Sequence, residues 1–159
     1  MGRVVSLRCI RCGREYPPAD LFTGCEVCRA QGLAANLIPE YGPVDPADLR
    51  RQFDSPRPGL GKFAALLPVD EPVSLGEGGT PLLQAHRLGA RLGIQGLFLK
   101  DEGRNPTGSF KDRMAAVVVA RARDRGADTV TVASSGNGGA ALAAYAARAG
   151  LRCVVFTLT

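Results

Sequence analysis

Two Cys-x-x-Cys pairs near the start of the chain constrain its folding more than any other feature. Cys9-x-x-Cys12 and Cys25-x-x-Cys28 are separated by twelve residues. Each pair can form a tight knuckle that turns two thiolates toward one ion, as four-coordinate zinc requires. Gly13 after the first pair and Gly24 before the second let the backbone turn close to that ion. Four thiolates close the coordination shell, so such a site is structural and not catalytic. Iron in the same cage and a redox dithiol stay open as alternatives. Disulfides conflict with the cytoplasmic address expected from a start, Met1 to Ser6, without a charged-then-apolar leader. Cys153, in the apolar run Cys153 to Phe156, reads as a small buried residue.

Three regions follow along the sequence: a zinc-ribbon-like segment over 1–38, a Pro- and Gly-rich connector over 39–74, and a third region over 75–159. In the third, short apolar runs alternate with Ala-rich amphipathic stretches, the pattern of an α/β protein with an open parallel sheet. With 159 residues, 45% hydrophobic and 22% charged, the chain is of the globular class. No window reaches the ~18 apolar residues of a membrane span, so no membrane partner is expected. A net charge of +5, carried mostly by Arg, and the absence of Trp leave nucleic acid without a stacking platform, so it is not an expected partner either.

Within the third region, Leu97 to Lys100 reads as a short buried strand, followed by a polar loop and then a helix. Ser109 is the expected N-cap with Asp112 three residues on. Met114, Val117 and Val118 supply the expected apolar face, and Gly126 the stop. Lys111 falls in the first turn, where the macrodipole disfavours positive charge and eases loss of the amine proton. A neutral amine suits Schiff-base chemistry, although an ordinary exposed lysine fits the same pattern. Next come a β-branched strand, Thr129 to Ala133, the loop Ser134-Ser135-Gly136-Asn137-Gly138-Gly139, a helix from about Ala140 to Ala149, and a strand from Cys153 to Thr157. A loop at the carboxyl end of a strand that opens a helix suits a carboxylate or phosphate, and a plain structural turn would use the same residues. His86, the only histidine, reads as a helix start or surface residue. Arg57, Arg104 and Arg113 could bind a phosphate, but each reads first as a solvated surface residue.

Three motifs then coincide: Gly-Glu-Gly-Gly-Thr-Pro-Leu at 76–82, Asn-Pro-Thr-Gly-Ser-Phe-Lys-Asp-Arg at 105–113, and Ser-Ser-Gly-Asn at 134–137. Together they closely resemble the threonine synthases, within the tryptophan-synthase-like (fold type II) pyridoxal-phosphate enzymes, over roughly residues 60–159. Some members of that family also carry an N-terminal zinc-ribbon-like segment. The resemblance implies pyridoxal phosphate as cofactor and Lys111 as the lysine that binds it and moves protons at the substrate carbons. It also implies that Asn137 hydrogen-bonds the cofactor's 3′ oxygen and that Phe110 packs near its ring. Ser134, Ser135 and the neighbouring amides, Gly138 among them, would hold the carboxylate of a small amino-acid substrate. The implied reaction converts O-phosphohomoserine and water to threonine and phosphate, in a homodimer.

Gly138 departs from the pattern, since many relatives carry Thr there. The family's cofactor-phosphate loop and pyridine-nitrogen partner would fall beyond Thr159, so the expectation is a piece of a longer enzyme. Related activities remain open, among them cysteate synthase, diaminopropionate ammonia-lyase and serine/threonine dehydratase. So does a non-catalytic zinc-ribbon module fused to a decayed half-domain.

Overall fold

The computed structural model describes residues 4–18, 23–57 and 59–158. The chain divides into two compact units, one running to Asp54 and including Phe63–Asp70, the other Ser55–Lys62 with Glu71 onward.

The first unit is built on a three-stranded antiparallel sheet of order β2-β1-β3, with β1 at Val4–Cys9, β2 at Glu15–Tyr16 and β3 at Leu37–Tyr41. Leu7 faces Tyr16 on one side of β1, and Cys9 faces Leu37 on the other. A knuckle follows β1, closed by hydrogen bonds from Cys9 N to Arg14 O (2.9 Å) and from Gly13 N to Cys9 O (3.1 Å). Gly24 precedes the second pair at φ +71°, and a Cβ there would lie 2.4 Å from Ala35 O. Only glycine meets both demands. Cys25 then leads into the short helix α1, Glu26–Ala30, which carries Cys28. Residues 39–74, read from sequence as a connector, contain most of β3, helix α2 (Pro46–Phe53) and a 3-10 segment, Gly59–Leu66. Helix α2 starts on Asp45, whose carboxylate accepts Ala47 N at 2.9 Å, with Pro46 in the first turn where its missing N–H costs nothing.

The second unit mixes helices with parallel and antiparallel strands. Strands β4 (Leu82–Gln84) and β5 (Phe98–Lys100) pair antiparallel and are joined through helix α3, His86–Leu92. Strand β6 (Thr129–Ala133), helix α5 (Asn137–Arg148) and β7 (Arg152–Phe156) form a parallel strand-helix-strand unit, in register from Thr129–Arg152 to Ala133–Phe156. Helix α4, Lys111–Asp124, packs against α5. The core is their shared seam: Ala115, Ala116, Val119 and Ala120 of α4 and Ala141, Leu142, Tyr145 and Ala146 of α5 are buried. No helix among the described residues is long and apolar enough to cross a membrane.

Several local expectations are corrected. Met114 and Val118 are 42% and 45% exposed, because α4 buries its small residues where α5 comes close. Ser109 is not the N-cap. Phe110 occupies that position, and the Ser109 hydroxyl accepts Lys111 N at 3.3 Å instead. Strand β5 is exposed along its length, where a buried strand was expected. Helix α5 begins three residues early, at Asn137, because Ser134 caps its first turn from outside. Cys153 is half-buried.

Candidate functional site

In the first unit the four cysteine sulfurs lie within 4.8 Å of one another. Cys9 and Cys28 are 3.8 Å apart, and Cys12 and Cys25 3.6 Å. Four sulfurs bound at about 2.3 Å to a central ion stand roughly 3.8 Å apart, so the cage has the dimensions of a tetrahedral thiolate site. Arg11 N and Cys12 N point at Cys9 Sγ at 3.4 and 3.5 Å, the N–H···S pattern of a knuckle. The Tyr16 hydroxyl lies 3.1 Å from Cys25 Sγ and, by donating to it, draws that thiol down to about 6. Burial pushes Cys28 up to about 12. Four thiolates this close repel one another, and a divalent cation supplies the charge that lets all of them ionise. The donor set therefore fits zinc. Tyr16, Leu33, Ala35 and Leu37 pack around the cluster.

In the second unit, Lys111 is the first residue of α4, and its Nζ lies 4.9 Å from the centroid of the Phe110 ring. Phe110 is 59% exposed. The loop that delivers Lys111 is closed by side chains. The buried Asp112 carboxylate accepts Thr107 N at 2.8 Å and the Thr107 hydroxyl. Arg113, read from sequence as solvated, grips Glu102 through Nε and Nη2, both at 2.7 Å. That guanidinium, with help from the Thr80 hydroxyl, holds the Glu102 carboxyl at about 2, well below the usual 4.5. A carboxyl whose value is depressed on folding stabilises the fold above its unfolded value and ceases to do so as pH falls through its folded value. We therefore expect thermal stability to fall progressively as pH drops from about 4.5 toward 2, and Glu102→Gln to flatten that decline. Melting temperature followed against pH for both proteins is the check; parallel curves would refute it.

Following β6, the two serines differ. Ser134 turns inward, and its hydroxyl accepts Gly139 N at 3.0 Å and Gly136 N at 3.3 Å. Ser135 and Asn137 are exposed at the opening of α5. A Cβ at Gly138 would lie 3.1 Å from Ser134 Oγ, so the inward serine and the small residue at 138 go together. Lys111 and Asn137 thus stand at the N-terminal ends of two helices that pack on each other. His86 opens α3, as expected, and lines a cavity of about 290 Å³ with Gln84, Ile94 and Leu97, which includes none of the site residues named so far.

Residues 73–158 match the family described as pyridoxal-phosphate dependent enzyme. The chain belongs to that family. Among curated proteins it is 45% identical over 150 residues to the threonine synthase of Methanosarcina acetivorans, an alignment that covers 94% of this chain and 36% of that protein. It is 40% identical over 151 residues to the threonine synthase of Methanocaldococcus jannaschii, covering 93% and 36%. With that of a Bacillus species it shares 48% over 99 residues, 60% of this chain and 28% of the relative. The chain thus spans about a third of the length of the curated relatives it matches.

Sequence reasoning missed the polar residues that hold these pyridoxal-phosphate family motifs together. Glu77 is 0% exposed. Its Oε1 accepts Leu60 N at 3.0 Å, and its Oε2 accepts Tyr145 Oη at 2.9 Å, Ser74 Oγ at 3.1 Å and Leu75 N at 3.1 Å. Gly59, at φ +60°, leaves room for it, since a Cβ there would sit 2.5 Å from Oε1. Burial and the Glu77 carboxylate raise the Tyr145 hydroxyl above the usual range, which keeps it a donor. Thr80 and Asn105 are buried as well. The available signal was the placement of a carboxylate between two glycines, which gives it no local reason to be there.

Proposed function

We propose that this chain supplies the lysine-bearing part of a threonine synthase-like lyase that uses pyridoxal phosphate to convert O-phosphohomoserine and water to threonine and phosphate. The observation that carries the reading is Lys111 itself: a primary amine at the first residue of α4, beside an aromatic ring, in a chain 45% identical to a threonine synthase. The donor set fits the cofactor, with an amine, an exposed aromatic face, and the exposed hydroxyl and amide of Ser135 and Asn137 at the opening of α5. When bound, pyridoxal phosphate supplies an electron sink for the substrate's Cα bonds.

The chain's own residues do the rest. Lys111 would hold the cofactor, and its amine would take and return protons at the substrate carbons. Asn137 would hold the cofactor's 3′ oxygen, and Phe110 would pack near its ring. Ser135, with the N–H groups at the start of α5 around Gly138, receives the substrate carboxylate at the positive end of the helix dipole. Ser134, engaged with Gly136 and Gly139, holds that loop in shape. Fixing carboxylate and amine together selects which Cα bond can break. The overall exchange breaks the carbon–oxygen bond to phosphate and leaves the hydroxyl of water on the neighbouring carbon.

The chain has three lysines, Lys62, Lys100 and Lys111. Mixing it with pyridoxal phosphate, reducing with borohydride and mapping the labelled peptide by mass spectrometry should place the label on Lys111 in preference to the other two. Label spread evenly over all three would refute the reading.

A further inference from the structure

The turn that carries Lys111 is weakly held by its own backbone. Asp112 N reaches Ser109 O at 3.4 Å, Arg113 N reaches Phe110 O at 3.2 Å, and Lys111 N donates to a hydroxyl, Ser109 Oγ, at 3.3 Å. These are long bonds, the first two of 3-10 type, at the end of a helix where backbone donors are usually orphaned. What fixes the turn lies in the two side chains that follow Lys111. Asp112 is tied to Thr107, five residues back in the loop. Arg113 is tied to Glu102, and through it to everything else that Glu102 holds.

Glu102 accepts from three separate places. Its Oε1 takes the Thr80 hydroxyl at 2.7 Å and Arg113 Nη2; its Oε2 takes Arg113 Nε and Asn105 Nδ2, the latter at 3.0 Å. Asn105 passes the link onward, with its Oδ1 accepting Gly78 N at 3.0 Å. The Arg113 guanidinium also lies against Gly78, where an added Cβ would be 3.3 Å from Nη1. One carboxylate therefore ties together the 76–80 loop, the 101–105 loop and the first turn of α4. A bidentate Arg–carboxylate pair sets direction as well as distance, which an apolar contact does not. Polar networks are a poor source of bare stability. Their strength is registration of the parts they connect.

We propose that Glu102 is a positioning residue for Lys111, holding its amine in the reactive orientation through Arg113. The proposal rests on the assignment of Lys111 as the cofactor lysine. Its test is the borohydride labelling described above, read as the ratio of label on Lys111 to label on Lys62. The second readout is the visible circular-dichroism band that a cofactor acquires when held in a fixed asymmetric setting. In Glu102→Gln the ratio is expected to fall at least about tenfold and the band to collapse, since small misplacements of a reacting group carry large rate costs. Arg113→Lys keeps the charge, loses the fork, and is expected to act in the same direction. It decides the matter should Glu102→Gln fail to fold. Asp124→Asn, in the ion pair with Arg123 at the other end of α4, should leave both readouts unchanged. A selective wild type with ratio and band unaltered in both variants overturns the positioning role and leaves Lys111 in place. An evenly labelled wild type overturns the Lys111 assignment, and the positioning role with it.

Discussion

Lys111→Ala is expected to remove the borohydride-fixed cofactor from the head of α4 and to leave only the background label on Lys62 and Lys100. In a longer protein carrying this sequence and the proposed activity, it is expected to lower phosphate release from O-phosphohomoserine by about 10³-fold, the scale of losing a positioned acid–base group. Lys111→Arg gives the same loss while keeping the charge, because a guanidinium stays protonated and cannot serve as nucleophile or base. The cost to folding is small, since Lys111 is only half-buried and its side chain lies along the exposed Phe110 ring. Phosphate release by the purified variants, with circular dichroism to confirm folding, is the measurement. Turnover within about tenfold of wild type in a folded Lys111→Ala protein would remove the lysine from the mechanism.

The second large effect is expected at the cysteines. Cys9→Ser, Cys28→Ser or a strong chelator unfolds the sheet of β1, β2 and β3, because little else is available to hold it. Among the described residues, the buried side chains of that sheet region are Cys9, Cys25 and Cys28 themselves, with partly buried Tyr16, Leu33, Ala35 and Leu37 packed around them. A core that small is insufficient alone. A structural zinc ion contributes about 10–16 kcal/mol of apparent binding energy that becomes folding energy. The purified chain should contain one zinc per molecule, and chelation should expose residues 4–41 to protease while the alanine seam of the second unit survives. Cys153→Ser, outside the cage, should change neither metal content nor protection. A metal-free chain that resists protease over 4–41 would refute the structural role.

The legibility of the sequence varied with how local each feature is. Strand β6 and the helix and strand after it were readable because a β-branched run and a Ser-Gly-Asn-Gly loop carry their own signals. So were the Cys-x-x-Cys knuckles, whose spacing is the geometry. The seam between α4 and α5 was misread because hydrophobicity ranks Met114, Val117 and Val118 above Ala115 and Ala116, whereas close packing selects the smaller residues. Glu77 was invisible for a different reason. Ser74 and Leu75 beside it supply two donors that a surface turn would also offer, whereas the partners that go with its burial, Tyr145 and Leu60, lie sixty-eight and seventeen positions away. Arg113 shares that character: it reads as solvated until the fold brings Glu102, eleven positions back, to it.

The alanine seam has a consequence for how this fold tolerates change. Five of the eight side chains buried in that seam end at Cβ, so the separation of α4 and α5 is set largely by backbone, as if a spacer of fixed thickness lay between them. The amine at the head of one helix and the amide at the head of the other inherit that thickness. Enlarging a residue in the seam would therefore act as a calibration error at the site, detuning chemistry that no altered atom touches.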